Sequence, residues 1–527
     1  MNFWTSILLA YAVLSISLVP LFIKAGQAPW KAVVPGLNLA VWCRLVGREP
    51  LHALWLLFPI VNIFIYAGLA VDAARSFGKH TFWESVVAVL FAPAYFAFLG
   101  LNKTDKYQGP ILENERSFRR QLQEASGNER AVAKLLQDNP QFVKSGLREW
   151  AEAIIFAVFA AAFIRMFLIE AYVIPTPSME DSLLVGDFLF VSKAHYGIRM
   201  PQTVAMIPLL HNRIPLLGRE SYLTKPQLAY NRLKPLEKIK RNDPIVFNYP
   251  EGDSVYVFPG RTWSIYDYRR GIADPLVNAS VQSGQKPLTV RPMDKMDHYI
   301  KRCIGTPGDS IELRNQVVYI NGKKAPQSRF LQHFYTISNP NGPINTRNFP
   351  EWGISAEDVR ENAGNKMLIV LTQEQVRRIK EMDPQIVVEK FPYSDLYSSP
   401  THLFPHDPAH FSAWKLDNYG PVYIPEKGAT VKLSSSNIAL YRRAIQVYEG
   451  NTLEERADKF FINGKETDTY TFKLDYYWAM GDNRHNSEDS RYWGFIPETH
   501  IVGKPLFIWF SAKNGVRWNR IFTSANK

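Results

Sequence analysis

The sequence predicts N-terminal α-helical transmembrane segments followed by a mainly-β domain enlarged by insertions. Three observations carry this expectation. Long uncharged runs crowd the first third of the 527 residues. Beyond residue 171, short β-branched and aromatic runs end in turn residues, twice in Asn-Gly, a hairpin signal. Lysine and arginine, 61 against 49 acids, gather in loops between the apolar runs, as cytoplasmic membrane loops do. No nucleic-acid-binding motif accompanies the net positive charge, so a nucleic-acid partner is not expected. An apolar content of 46% excludes a disordered chain. Two cysteines, Cys43 and Cys303, cannot make a disulfide scaffold or a cysteine-rich zinc site.

The first apolar run, Asn2 to Ile23, matches the roughly 20 residues that cross a bilayer core. No basic residue precedes it and no small-x-small cleavage site follows, so it reads as a retained anchor. Leu51 to Val71 is the second run, with His52, Pro59 and Asn62 inside it, and Phe82 to Leu101 the third, with Glu84 near one end. The fourth extends from Glu149 to Ile169, with Ala153 to Ile164 as its clean core and Arg165 placed to snorkel. A buried or interfacial helix is the alternative there. Lys24, Lys31, Arg44 and Arg48 follow the first run, and nine Lys/Arg lie between Lys103 and Arg148. The positive-inside rule puts both loops in the cytoplasm. Four spans then leave the N-terminus and everything after Ala171 outside. The expected organisation is a three-span membrane domain over 1–102, a cytoplasmic loop over 103–148, a fourth transmembrane helix over 149–171, and an extracytoplasmic β-rich domain over 172–527.

Within that last domain the strand candidates are 188–191, 244–249, 316–320, 460–462 and 506–510. Asn321-Gly322 and Asn463-Gly464 end two of them. Thr372-Gln373-Glu374-Gln375 is a capping box leading into a helix over 376–382. The segments at about 200–240, 255–290 and 325–450 lack periodicity and read as insertions on a smaller core.

Three stretches carry residues fit for chemistry. Ile174-Pro175-Thr176-Pro177-Ser178-Met179 follows the fourth run closely. Two prolines stiffen it, so Ser178 projects from a pre-set backbone; a linker serine is the alternative. In Tyr299-Ile300-Lys301-Arg302-Cys303-Ile304, a strand puts Tyr299, Lys301 and Cys303 on one face. A desolvated lysine there has a lowered pKa and becomes a neutral general base; an exposed strand lysine is the alternative. Gly481 to Gly494 packs Asp, Asn, Ser and Arg into a self-bonded polar loop, with Asp489 and Arg491 as a candidate ion pair. A surface turn is the plain reading of it.

Taken in order, these stretches resemble the bacterial type I signal peptidases, the leader-peptidase family of membrane-bound Ser/Lys serine proteases. Gly186-Asp187 and Asp243-Pro244-Ile245-Val246-Phe247 lie between them in the family's order. The first three apolar runs resemble a membrane domain that precedes some members. The resemblance implies a signal-peptidase-like β-fold with large insertions. It makes Ser178 the nucleophile and Lys301 the general base. Thr176 and the Ser178 N–H would form the oxyanion hole, and Ser487 would orient the lysine. Asp482, Asn483, Asp489 and Arg491 would hold the site together. Ile174, Met179 and Tyr299 would line the lysine and the substrate pocket. It implies no cofactor and no metal. Asp181 stands where the family has proline, a departure in the backbone after the nucleophile. Neither His298 nor His485 matches a catalytic position of the family.

The implied substrates are preproteins bearing signal peptides, with small residues at the first and third positions before the cut. An extended peptide would add as a strand to a sheet edge. Ile508, Trp509 and Phe510 are candidates for a membrane-dipping surface or for plain core. The expected partners are preproteins, the bilayer and, transiently, the secretion machinery. The expected location is the cytoplasmic (inner) membrane, with the catalytic domain outside. A catalytically silent relative that binds preproteins or scaffolds a membrane complex is the alternative, against which retention of both Ser178 and Lys301 argues.

Overall fold

The computed structural model describes residues 3–57, 61–143, 146–207, 209–215, 217–456 and 459–525. Asn2 and Pro59 of the expected spans lie outside them. The chain divides into two compact units, Met1–Phe163 with Thr203–Leu228, and Ile164–Gln202 with Ala229–Lys527.

The first unit is helical: α1 (Phe3–Lys24), α2 (Leu37–Val46), α3 (Val61–Ser76), α4 (Phe82–Leu90), α5 (Ala92–Leu101), α6 (Ile111–Glu124), α7 (Glu129–Asp138) and most of α8 (Gly146–Phe167). Its core buries Leu18, Leu21 and Phe22 of α1, Trp42 of α2, Leu69 of α3, and Phe96 and Leu99 of α5. Each such side chain contributes about 1.5–3 kcal/mol. Gly100 lets α5 come close to α1, because a Cβ there would stand 2.6 Å from the backbone of Pro20 and Leu21. Helix α2 was not expected: Lys31 and Arg44 made 24–50 read as a loop, yet Trp42 and Cys43 are buried. Residues 203–228 form an irregular hairpin, bridged at Thr203–Gln227, Met206–Tyr222 and Arg213–Glu220.

The two middle apolar runs do not form straight spans. Leu51–Val71 is split between a 3-10 helix, Pro50–Leu57, and α3. Its ends meet, because Arg48 pairs with Asp72 at 2.6 Å. The run Phe82–Leu101 is α4 and α5, bent by 115°, and Lys79 before it pairs with Asp105 after it at 3.0 Å. Arg75 pairs with Glu115 of α6, and Lys24 donates to the carbonyl of Leu99 at 2.6 Å. Groups in contact cannot lie on opposite sides of a ~30 Å hydrocarbon core. Arg75 and Lys79, expected outside, contact Glu115 and Asp105 of the segment expected in the cytoplasm. Run length reports apolarity, not whether the chain reverses. Among the described residues no single helix is long and apolar enough to cross a membrane; Leu8–Lys24 and Ala153–Phe167 are shorter apolar stretches.

The second unit is mainly β. Its central sheet uses β1 (Ile169–Val173), β2 (Asp187–Ser192), β3 (Pro244–Asn248), β4 (His298–Gly305), β5 (Tyr476–Met480), β6 (Ile496–Pro497), β7 (Ile501–Ser511) and β8 (Thr523–Ser524). Their order is β1-β2-β7-β3-β4-β5-β6, with β8 beside β7. Gly186, at φ +86°, lets the chain enter β2 with a Cβ position only 2.0 Å from the Ala512 carbonyl oxygen. Asp187 is fully buried and accepts hydrogen bonds from Ser511 at 2.6 Å and Arg520 at 2.5 Å. The motif at 186–187 thus pins β2 to the C-terminal segment.

The insertions are ordered. The insertion at about 255–290 holds a small sheet over Ser254–Val257, Thr262–Ser264 and Thr289–Val290 with two short helices. The largest carries a four-stranded sheet that includes Gln332–Ser338 and Lys366–Thr372, with its own core of Ile337, Ile369, Leu371 and Ile379. Its helix Gln373–Met382 opens on the expected capping box between Thr372 and Gln375. Both expected hairpins turn at Asn-Gly pairs with positive φ, Asn321-Gly322 and Asn463-Gly464.

Candidate active site

The stiffened segment ends in a single 3-10 turn, Pro177–Met179. As the second residue of that turn, Ser178 has no acceptor for its N–H within the helix. Its side chain is 7% exposed, and Lys301, at the centre of β4, is 3% exposed. Lys301 Nζ donates to Ser178 Oγ at 2.6 Å, across 123 residues of sequence. Burial pulls the lysine down to about 8, against the opposing pull of Asp489, Glu488 and Asp482. The ammonium also lies 5.7 Å from the Tyr299 ring centre, which stacks on Tyr249 at 4.8 Å.

Thr176 is exposed, its Oγ1 3.5 Å from Ser178 Oγ. Both hydroxyls border one cleft of about 820 Å³, whose walls include Ile174, Met179, Tyr299 and Ser487. Ile174 and Met179 are buried in the core beneath it with Leu189 and Ile508. Ile508 is therefore core, the plain-packing alternative for this trio. Trp509 and Phe510 are half-buried and join Phe188, Phe190 and Phe507 in an aromatic face.

The polar loop braces the nucleophile turn. The Asn483 N–H donates to the Ser178 carbonyl at 3.2 Å. Asp482 accepts from Ser182 at 2.7 Å and receives two bonds from Arg302, at 2.7 and 2.6 Å. The fully buried Asp489–Arg491 pair is bidentate, at 2.9 and 2.8 Å. Asp489 also accepts from the Gly481 N–H at 3.1 Å. A Cβ on Gly481 would meet Ser487 Oγ at 2.3 Å and the Ser178 carbonyl oxygen at 2.5 Å; only glycine lets these two groups share one corner. Ser487 borders the cleft, but its hydroxyl turns to the Glu488 carbonyl at 3.5 Å and toward Asp489, and no hydrogen bond joins it to Lys301 among the described residues. Asp181 adopts φ +72°, a conformation proline cannot take. That accounts for the departure at this position.

Other residues emerge only from the structure. Arg302 stands next to Lys301 and so points to the opposite face of β4, where it meets Asp482. Glu170, buried in β1, accepts from Arg165 at 2.8 Å, Lys193 at 2.9 Å and the Tyr172 hydroxyl at 2.7 Å. Those cations hold its carboxyl well below the usual range despite burial. His485 Nε2 sits 3.0 Å from Asp417 of the largest insertion, and Nδ1 accepts from the Phe334 N–H at 3.3 Å. Both ring nitrogens are thereby occupied, so His485 is a brace and not a base. Arg261 of the insertion at about 255–290 pairs with Glu488 at the cleft rim at 2.7 Å. The Cys303 thiol is buried and pushed up by that burial, which makes it inert.

The model of the signal peptidase family, peptidase S26, matches residues 147–363 and 424–510. A family of unknown function (DUF5684) matches 30–110. Signal peptidase I of Haemophilus influenzae is 27% identical over 386 residues, covering 70% of this chain and 74% of the relative. That of Buchnera aphidicola subsp. Acyrthosiphon pisum is 25% identical over 392 residues, 69% and 78% of the two chains. That of Pseudomonas aeruginosa is 21% identical over 392 residues, 72% and 77%. With the larger part of its length matched and a serine hydroxyl in contact with a buried lysine, the chain belongs to the signal peptidase family, peptidase S26.

Proposed function

We propose that this protein is a membrane-anchored serine endopeptidase that removes signal peptides from exported preproteins, with Ser178 as nucleophile and Lys301 as general base. The observation that carries the assignment is the 2.6 Å contact between Lys301 Nζ and Ser178 Oγ in a buried setting. A neutral amine takes the hydroxyl proton as Oγ attacks the scissile carbonyl, and the resulting ammonium returns a proton to the leaving amine. The developing oxyanion is met by the Ser178 N–H and the Thr176 hydroxyl. Asp482, Asn483, Asp489 and Arg491 fix the loop against the nucleophile turn, and Ser487 supplies a hydroxyl at the lysine's side of the cleft. The same contact disfavours a silent scaffold, which has no need of a desolvated lysine.

The substrate pairs along β1, the terminal strand of the central sheet, with small side chains entering beside Ile174, Met179 and Tyr299. The helices α1 and α8, whose described apolar stretches are each short of a full span, cross the cytoplasmic membrane together with their flanking residues, and the two broken apolar runs between them enter it and return to the cytoplasmic side. This arrangement keeps the N-terminus and the catalytic unit outside, as four spans would. The aromatic face around Trp509 and Phe510 rests on the outer leaflet, where such rings are favoured. Contact with the secretion machinery is transient. The test is cleavage by the detergent-solubilised full chain of a preprotein with an Ala-x-Ala junction. A single cut is expected after the second alanine, and replacing that alanine with phenylalanine should stop it. Equal cutting of both junctions would overturn the substrate assignment.

A further inference from the structure

A second cavity, of about 320 Å³, lies apart from the cleft. Arg241, Arg302, Lys323, Lys324 and Arg484 line it, together with Asn242, Gln327 and Ser328, and no carboxylate does. The five cations differ in kind. Arg241 is held by Asp309 at 2.5 Å and Arg302 by Asp482 at 2.6 Å. Lys323 and Lys324 are exposed and have no ion-pair partner among the described residues. Arg484 is 6% exposed, and its Nε donates to the Gly481 carbonyl at 3.2 Å. Its two terminal nitrogens have no hydrogen-bond partner, and it has no ion pair, among the described residues.

Such a guanidinium is costly. Burying a guanidinium whose terminal nitrogens meet no acceptor is unfavourable, even with Asp482 and Asp489 near enough to oppose its loss of charge. Burial, with Arg491 and Arg302 close by, pulls Arg484 down to about 10 against the opposing pull of Asp482 and Asp489. A planar fork of free N–H donors in a cavity that Lys323 and Lys324 also border matches a tetrahedral oxyanion. Arg241 and Arg302 are already paired, so Arg484 and the exposed lysines at the rim are left for a ligand. The apolar wall of Ile304, Val318 and Ile320 and the size of the cavity leave room for an ester substituent beyond the oxyanion.

We propose that this cavity is a binding site for a phosphoryl group, either free phosphate or the phosphodiester of a lipid head group. Its position ties it to the enzyme's central loop. Arg484 follows Asn483, whose N–H holds the Ser178 carbonyl, so an occupied site steadies the segment 481–484 by neutralising Arg484.

The experiment uses the full chain in nonionic detergent. Its Tm is followed against sodium phosphate, and against sodium chloride of matched ionic strength. A parallel titration uses glycerophosphoglycerol, a soluble phosphodiester head group. The expected result is a Tm that rises with the logarithm of phosphate concentration and does not rise with chloride. Lys323→Gln/Lys324→Gln, which alters exposed residues only, should weaken the apparent affinity at least tenfold, and Arg484→Gln should abolish the response. A head-group affinity tenfold above that of phosphate identifies the lipid as source; the reverse identifies the free ion. A response equal in chloride, or one kept in full by the double lysine variant, overturns the proposal.

Discussion

If Lys301 is the base, the acid limb of the pH–rate profile belongs to it. Burial pulls the group from 10.5 to about 8, while three acids at the site pull the other way. The neutral fraction at pH 7 is then about one tenth; an unperturbed lysine would be neutral in only about 3 molecules in 10,000. Desolvation therefore accounts for about a 300-fold gain in competent enzyme. The sign is fixed by the proton. Below pH 8 the ammonium dominates and kcat/KM should fall about tenfold per pH unit; above pH 8 it should level off. Initial rates on a fluorogenic Ala-x-Ala peptide from pH 6 to 10 give the profile. Glu488→Gln sharpens the test, because Glu488 favours the ammonium. Removing its charge should move the limb to lower pH. The shift should be a fraction of a unit, since Glu488 is 44% exposed and water screens it. A limb near 10, or a rate flat between pH 6 and 9, would refute the reasoning. So would a Glu488→Gln limb displaced to higher pH.

Further outcomes follow from the same geometry. Lys301→Arg should be inactive at every pH in a peptide-cleavage assay, because arginine stays charged. Thr176→Val should lower kcat by about 10²-fold with a smaller change in KM, the usual loss for one oxyanion donor. Gly481→Ala should abolish cleavage while circular dichroism stays native, because its Cβ collides with Ser487 Oγ and the Ser178 carbonyl. Asp417→Ala should cost about 2 kcal/mol in urea unfolding by leaving buried His485 without its charged partner.

The sequence made local features legible and long-range ones only through motif resemblance. The Thr372 capping box and the Asn-Gly turns act within a few residues, so their sequence suffices. Lys301 and Ser178 lie on separate elements, and nothing in spacing or periodicity joins them. Their pairing came from the order of the motifs. Arg302 was within reach, since period two puts it opposite Lys301, but its partner on that face was not. His485 and Asp417 are 68 residues apart, and Asp417 sits in an insertion without periodic pattern, so no signal pointed to the pair. The apolar runs taught a different lesson. Their composition marked membrane-like helices, but the reversals that bring Arg48 to Asp72 and Lys79 to Asp105 are contained in no hydropathy window. Asp181 is a third case: its left-handed backbone explains a missing proline only once φ is known.

The account rests most heavily on the Ser178–Lys301 contact. The decisive measurement is N-terminal sequencing of the product when wild type, Ser178→Ala and Lys301→Ala are each incubated with one Ala-x-Ala preprotein. The account predicts a mature N-terminus at the junction for wild type, and intact preprotein with both folded variants. Cleavage at that junction by either variant would contradict it.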